Sequence, residues 1–80
     1  MTIIYADRAP KFRQVTGAFG RRITEFATAV CEDGEVVIKK GTRWVPLAGG
    51  YDNTVGAPYL RGHFGDGQEV TILLPEEAGK

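Results

Sequence analysis

The hydrophobic residues of this chain occur in short runs and alternations, which predicts β-strands. Thr2–Tyr5 is an apolar run with β-branched residues, Phe12–Val15 is a short second candidate, and Glu35–Lys39 is a plain strand. Near the end, Gln68–Leu74 alternates, so Val70, Ile72 and Leu74 share one face. Glu69, Thr71 and Leu73 then share the other face, with one extra apolar residue among them.

Turn-forming residues separate these runs. Asp33-Gly34 has the chemistry of a tight hairpin turn, and Lys39–Thr42 predicts a second turn that leads into Arg43–Leu47. Pro46 has no N–H group, so that strand is expected at a sheet edge or to end there. Gly65-Asp66-Gly67 closes a last hairpin.

Two segments are predicted to be irregular. Asp7–Gly20 contains Pro10, Gly17 and Gly20 without a clean period, so it is expected to be mostly loop around the short strand. Residues 48–58 contain three glycines, an Asp-Asn pair and a proline, which predicts a long surface loop. The length of this loop invites a functional interpretation.

Residues 21–32 are open to two interpretations. A helical stripe is formed by Ile23, Phe26, Ala27, Val30 and Cys31. β-Branched residues and the lack of a good N-cap before Arg21 oppose a helix, and the Asp-Gly turn follows directly. The balance favours a strand.

The predicted fold is therefore mainly β: a small antiparallel sheet or a partly open barrel of five to six short strands. The alternative is α+β, with residues 21–32 as one amphipathic helix packed on the sheet. The chain has 80 residues, of which 42% are hydrophobic, enough for one small core. We expect a single domain over residues 1–75 and a polar tail over residues 76–80.

Composition points to the cytoplasm of the producing or infected cell. Cys31 is the only cysteine, so no intramolecular disulfide can form, whereas small secreted domains usually carry several. The first ten residues have neither the basic region nor the apolar run of a signal peptide. No run approaches the roughly 18–20 apolar residues that span a membrane.

The residue inventory argues against an enzyme. The chain has no serine, one cysteine and one histidine, His63. A Cys31–His63 pair would need hydrogen-bonding distance and a third group to orient the imidazole, and a buried apolar cysteine is the simpler interpretation. Zinc needs three or four ligands of suitable spacing. We therefore expect no catalytic residue, no metal site and no cofactor.

Charge is balanced overall but unevenly distributed. Ten basic and ten acidic residues give a net charge of zero. Between residues 8 and 22 there is a segment with five basic residues, no acid among them and two interleaved phenylalanines, and we call it the basic arm: Arg8, Lys11, Phe12, Arg13, Phe19, Arg21 and Arg22. This composition suits single-stranded nucleic acid, an acidic protein groove, or a solvated loop whose phenylalanines belong to the core.

A second candidate surface is the aromatic group Trp44, Tyr51 and Tyr59 around residues 48–58. Tryptophan and tyrosine are enriched at interface hot spots. In a domain this small, Trp44 is also the natural core aromatic. If Trp44 and Val45 point to opposite faces of one strand, one of them is exposed.

These features predict a non-catalytic protein-binding module, either a small inhibitor or an adaptor. One concrete form is a phage- or mobile-element-encoded protein acting on a host protein complex. The alternative is a small-barrel protein that binds RNA or single-stranded DNA through the basic arm. Another protein is the expected partner, with no membrane, and a homodimer is one option for the oligomeric state.

Overall fold

The computed structural model describes residues 2–75, which contain eight β-strands and one short 3-10 turn, Ala18–Gly20. The strands are β1 Thr2–Tyr5, β2 Phe12–Thr16, β3 Arg22–Phe26, β4 Val30–Glu32, β5 Glu35–Ile38, β6 Trp44–Asp52, β7 Ala57–Phe64 and β8 Glu69–Leu73. The mainly β prediction is confirmed, with more strands than the five to six expected.

A four-stranded sheet with the order β1-β8-β7-β6 forms the centre of the fold. β7 pairs antiparallel with both β6 and β8, whereas β1 pairs parallel with β8, from Thr2 opposite Val70 to Tyr5 opposite Leu73. β6 and β1 are the two edges. The described strands form open sheets that do not close into a barrel.

Two separate hairpins accompany this sheet. β2 pairs with β3, from Phe12 opposite Phe26 to Thr16 opposite Arg22. β4 pairs with β5 around the predicted turn, where Asp33 and Gly34 both have positive φ. The helical alternative for residues 21–32 is wrong, because Arg22–Phe26 and Val30–Glu32 are strands. β-Branched side chains in this segment fit strands better than a helix.

The core lies between one face of the sheet and the inner sides of both hairpins. Its buried members are Ile4, Ala6, Phe26, Val30, Ile38, Trp44, Val70 and Ile72. Val70 and Ile72 have no exposed surface, as their shared face predicts. Leu73 is also buried, although it belongs to the opposite face, where Tyr5 and Tyr59 are its neighbours in register.

The loop predicted over residues 48–58 is not present. β6 continues to Asp52 and β7 starts at Ala57, so only four residues form the turn. Asp52 holds this turn: its Oδ1 accepts from the N–H groups of Thr54 at 2.8 Å and Val55 at 3.2 Å. Asp52 O also accepts from Gly56 N–H at 2.7 Å. The polar residues assigned to a loop therefore form a compact turn.

Pro46 lies on an edge strand, as predicted, and the register of β6 against β7 shifts between Pro46 and Ala48. An irregularity beside an edge proline is a usual arrangement, because proline cannot donate to a ladder. The predicted polar tail, residues 76–80, lies outside the described residues. Within the described part, no helix has the length and apolar character needed to cross a membrane.

Candidate functional site: a cationic groove between two strands

A groove of about 590 Å³ opens between β3 and β6. The two strands approach at one antiparallel bridge, Glu25 opposite Arg43, where Phe26 N–H donates to Thr42 O at 3.0 Å. Beyond this bridge they separate, and the walls of the groove are Arg22–Thr24 on β3 and Trp44–Pro46 on β6. We call this space the cationic groove.

Pro46 explains why the ladder between β3 and β6 stops. If the pairing of Glu25 with Arg43 continued along both strands, Arg22 would lie opposite Pro46. Proline has no N–H to donate across such a pair. The register shift that follows Pro46 bends β6 further.

The loop that joins β2 to β3 forms the rim of the groove. Gly17 N–H donates to Arg21 O at 2.6 Å and closes the loop. Gly17 is required here, because a Cβ at this position would collide with the Ile23 side chain. At its tip, Phe19 has φ 59 and ψ 25 and its side chain is fully exposed. A bulky residue in this left-handed region costs about 1–2 kcal/mol, so the ring is presented to solvent at an energetic cost.

The groove is lined by basic and not by acidic side chains, although Glu25 lies at its end, opposite Arg43. Arg21, Arg22 and Arg43 line it, and no aspartate or glutamate is among its lining residues. The nearby Glu25 forms an ion pair with Arg13. The floor between the arginines is apolar, with Ile23, Val45 and Pro46. Such a site can attract carboxylates or phosphates while burying an apolar group beside them.

The basic arm does not form one continuous surface, which corrects that part of the prediction. Phe19, Arg21 and Arg22 lie at the cationic groove, whereas Arg8 and Lys11 line a second groove of about 380 Å³. Arg13 pairs with Glu25. The arm is divided because β2 and β3 fold back on each other and carry its two halves apart.

Phe12 belongs to the core side of the hairpin. Its ring centroid lies 4.9 Å from that of Phe26 and 6.4 Å from that of Trp44. One face of the ring is thus packed, although the side chain is still 37% exposed. Of the two phenylalanines in the basic arm, only Phe19 is therefore presented as a free ring.

Trp44 was predicted as a partner-binding residue and is instead a core residue, 2% exposed. Its ring packs against Phe26 at 5.2 Å and Phe64 at 5.9 Å, and it lies over Gly62, where a Cβ would come within 2.6 Å of the indole. Val45, on the opposite face, is the exposed neighbour. The reason is parity: the register of β6 turns Trp44 inward.

Tyr51 and Tyr59 lie away from the cationic groove, on β6 and β7 near the turn at residues 53–56. Tyr51 is exposed and Tyr59 is half-buried, with its ring 3.5 Å from the place where a Cβ on Gly50 would lie. Adjacent positions in the ladder place them on opposite faces of the sheet. The three predicted aromatics therefore do not form one patch.

Cys31 and His63 lie in different sheets. Cys31 pairs with Val36 in the β4–β5 hairpin and lines the second groove. His63 pairs with Val45 and Glu69, and its Nδ1 lies 2.9 Å from Phe64 O. Among the residues that the structure describes, no group of three or more His, Cys, Asp and Glu side chains is placed to hold a metal ion.

Seven lining residues of the groove were not among the predicted site residues: Ala18, Ile23, Thr24, Arg43, Val45, Pro46 and Gly65. Pro46 was a usable sequence signal because it predicts an edge strand, and an edge strand beside the basic Arg43 is a candidate binding surface. The approach of β3 to β6 had no signal, since it depends on one bridge between segments far apart in sequence.

The fold and the groove define a class: a small β-sheet module with a cationic, partly apolar groove and an exposed aromatic ring at its rim. Comparisons with protein-family models, with curated proteins and with solved structures found no match to this chain.

Proposed function

We propose that this chain is a non-catalytic protein-binding module, a small inhibitor or adaptor, that acts in the cytoplasm through the cationic groove and Phe19. The observation that carries the proposal is the exposed Phe19 ring, held at positive φ beside three arginines. Strained residues that serve no packing purpose are concentrated at functional sites. The single cysteine supports the cytoplasmic location.

The chemistry of the groove suits an interface hot spot. Aromatic and arginine side chains dominate the binding energy of protein interfaces, particularly at the centre of a contact. Phe19 supplies an apolar anchor, and Arg21, Arg22 and Arg43 supply donors for carboxylates. Their exposure in the free chain leaves them available to a partner.

Binding of RNA or single-stranded DNA is the second candidate, favoured by the same three arginines next to a free ring. Division of the basic arm between two grooves removes Arg8 and Lys11 from this surface. A net charge of zero also gives little long-range attraction for a polyanion. These two facts favour a protein partner.

Affinity capture from a lysate of the producing cells, with and without nuclease, tests this proposal. Wild-type chain is compared with Phe19→Ala and with a matched control, Val55→Ala, which truncates another exposed hydrophobic residue away from the groove. We expect a protein that is retained after nuclease, lost with Phe19→Ala and kept with Val55→Ala. Partners that disappear with nuclease would indicate nucleic acid, and partners indifferent to Phe19→Ala would refute the role of the groove.

A further inference from the structure

The outer edge of β6 is a long sheet edge without a neighbouring strand. β6 has nine residues and pairs with β7 along one side. On its other side, among the described strands, it meets β3 only at the start, where Arg43 is opposite Glu25. The edge therefore runs out of the cationic groove and continues to Asp52.

The alternating hydrogen bonds of β7 show which backbone groups of β6 face away from β7. Phe64 N–H donates to Gln68 O at 2.9 Å and Pro58 O accepts from Leu74 N–H at 2.8 Å, so alternate residues of β7, starting from Phe64, face β8. The β6 residues opposite them form non-hydrogen-bonded pairs with β7, so their backbone N–H and C=O groups point away from β7. The outward residues include Gly49 and Tyr51.

Between the register shift and the terminal Asp52, this edge lacks the usual protection against pairing. Natural edge strands carry charged side chains, prolines or bulges, or are covered by other elements. From Trp44 to Tyr51 there is no charged residue, and both the proline and the register shift lie in the first half of the strand. Gly49 and Gly50 add no side chain that would obstruct an incoming backbone.

We propose that an extended, acidic segment of the partner protein adds as a strand to the outer edge of β6, with its carboxylates in the cationic groove. This proposal rests on the protein-binding function proposed above and adds the mode of recognition. Backbone hydrogen bonds to Gly49 and Tyr51 hold the segment, as in known cases of strand addition. Arg21, Arg22 and Arg43 line the groove and select a negatively charged occupant, and Glu25, opposite Arg43, is paired with Arg13.

The test uses a defined probe, a capped six-residue peptide of alternating glutamate and valine. In an extended strand all three of its carboxylates lie on one face. Titrated into ¹⁵N-labelled full chain, it is expected to shift the amide signals of residues 45–51 and of Arg22 with a Kd below about 1 mM. The matched lysine–valine peptide is expected not to bind.

Two glycine variants test whether the backbone edge is used. Gly49→Pro removes one outward N–H, and Gly49→Ala adds a Cβ at the same place but keeps the donor. We expect Gly49→Pro to weaken the peptide about threefold to tenfold, the value of one hydrogen bond, and Gly49→Ala to bind like wild type. Equal binding by both variants would contradict strand addition.

Two charge variants test the groove. Arg21→Glu with Arg22→Glu is expected to weaken the peptide at least about tenfold. Lys39→Glu with Lys40→Glu makes the same change of charge at a turn outside the groove and is expected to have little effect. An unchanged spectrum in the absence of peptide shows that each variant is folded.

The remaining outcomes are decisive as well. No binding of the glutamate–valine peptide at about 1 mM, or shifts confined to other residues, overturns the proposal. Tighter binding of a ten-nucleotide oligothymidine at the same residues would assign the groove to nucleic acid instead. A dimer in sedimentation that Gly49→Pro dissociates would assign the edge to a second copy. If the peptide fails while Phe19→Ala still abolishes partner capture, the proposed function stands and only strand addition is rejected.

Discussion

The two edges of the four-stranded sheet meet different neighbours. At the β1 edge, the β4–β5 hairpin lies beside the end of the strand and is tied to Tyr5 and Asp7 by hydrogen bonds. At the β6 edge, the β2–β3 hairpin makes one bridge and then separates. Both hairpins contribute to the same core, so the difference lies in how closely each one covers the sheet.

The β1 edge, the covered edge, is protected near its end, where three hydrogen bonds tie Tyr5 and Asp7 to the β4–β5 hairpin. Asp7 N–H donates to Cys31 O at 2.9 Å, and the Asp7 carboxylate accepts from Gly34 N–H at 3.0 Å. Tyr5 N–H donates to Glu32 Oε1 at 3.2 Å. Main chain and side chain thus both cross the boundary and use the polar groups that an edge would otherwise expose.

At the open edge, that of β6, the apolar anchor Phe26 also makes two backbone hydrogen bonds, with Thr42 at 3.0 Å and Gly41 at 2.8 Å, both before β6 begins. Phe26 is buried and fixes the β2–β3 hairpin on the core. Pairing between β3 and the chain that leads into β6 is limited to the Glu25–Arg43 bridge beside Phe26. The comparison teaches that apolar packing can position a hairpin without closing the backbone edge next to it. This separation of packing from edge pairing is what leaves the cationic groove open.

The largest effect is expected from Phe26→Ala. Phe26 has no exposed surface and contacts Phe12 and Trp44, so its loss should reduce the free energy of unfolding by about 3–5 kcal/mol. Urea unfolding measures this value. The control is Val36→Ala, an exposed apolar position on the other hairpin, which should change stability by about 0.5 kcal/mol or less. A similar loss in both variants would show that the open-edge hairpin is not anchored by Phe26.

Two proline variants distinguish a β6 residue whose N–H faces β7 from one whose N–H faces outward. Gly50 lies opposite Tyr59 in a hydrogen-bonded pair, so Gly50→Pro should reduce stability by about 2–3 kcal/mol, because it removes a ladder bond and leaves Tyr59 O without its donor. Gly49→Pro should cost less than about 1 kcal/mol, because its N–H faces outward. Thermal unfolding compares the two. If the order of stability is reversed, the inferred parity of the open edge is wrong.

Asp7→Ala probes the covered edge. Removal of the carboxylate that accepts from Gly34 N–H should cost about 1 kcal/mol and should speed amide exchange at Gly34. Asp7→Asn keeps an acceptor oxygen and is expected to retain most of the stability. Equal losses in the two variants would mean that charge, rather than the hydrogen bond, matters at this edge.

The smallest expected effect is a gain in stability from Phe19→Gly. Phe19→Gly removes the penalty of a positive φ at a fully exposed residue, and stability should rise by up to about 1 kcal/mol after the entropy cost of glycine. Phe19→Ala keeps that penalty and should stay within about 0.5 kcal/mol of wild type. Urea unfolding of the three proteins measures both values. A loss of stability with glycine would show that the ring packs on the fold and is not held out for a partner.

The predictable parts of the fold are those with a local chemical cause. Asp33-Gly34 requires two positive φ values and marks its turn directly. The alternation of Val70 and Ile72 marks the buried face of β8. In residues 48–58 the local signal was misleading, because Gly49 and Gly50 are usually loop residues. Here they lie across from Leu60 and Tyr59, whose side chains fill the space beside them.

The candidate site was only half predictable. The basic arm pointed to Phe19, Arg21 and Arg22, but Phe12 in the same segment is packed on Phe26. Composition treats the two phenylalanines alike, and only the hairpin register tells which one is covered. Arg43 joins the site through tertiary approach of β3 to β6, which no local pattern encodes.

The parallel pairing of β1 with β8 has a consequence for the order of events during synthesis. Of the described strands, β1 is synthesised first and its partner β8 is synthesised last. β8 lies between β1 and β7, so β1 cannot join the sheet until β8 has been synthesised. Such non-local pairing slows folding, and the apolar Ile3 and Ile4 stay unpaired until β8 is available. The four hairpins, β2–β3, β4–β5, β6–β7 and β7–β8, are each closed by a short loop and are the units that can form before this pairing.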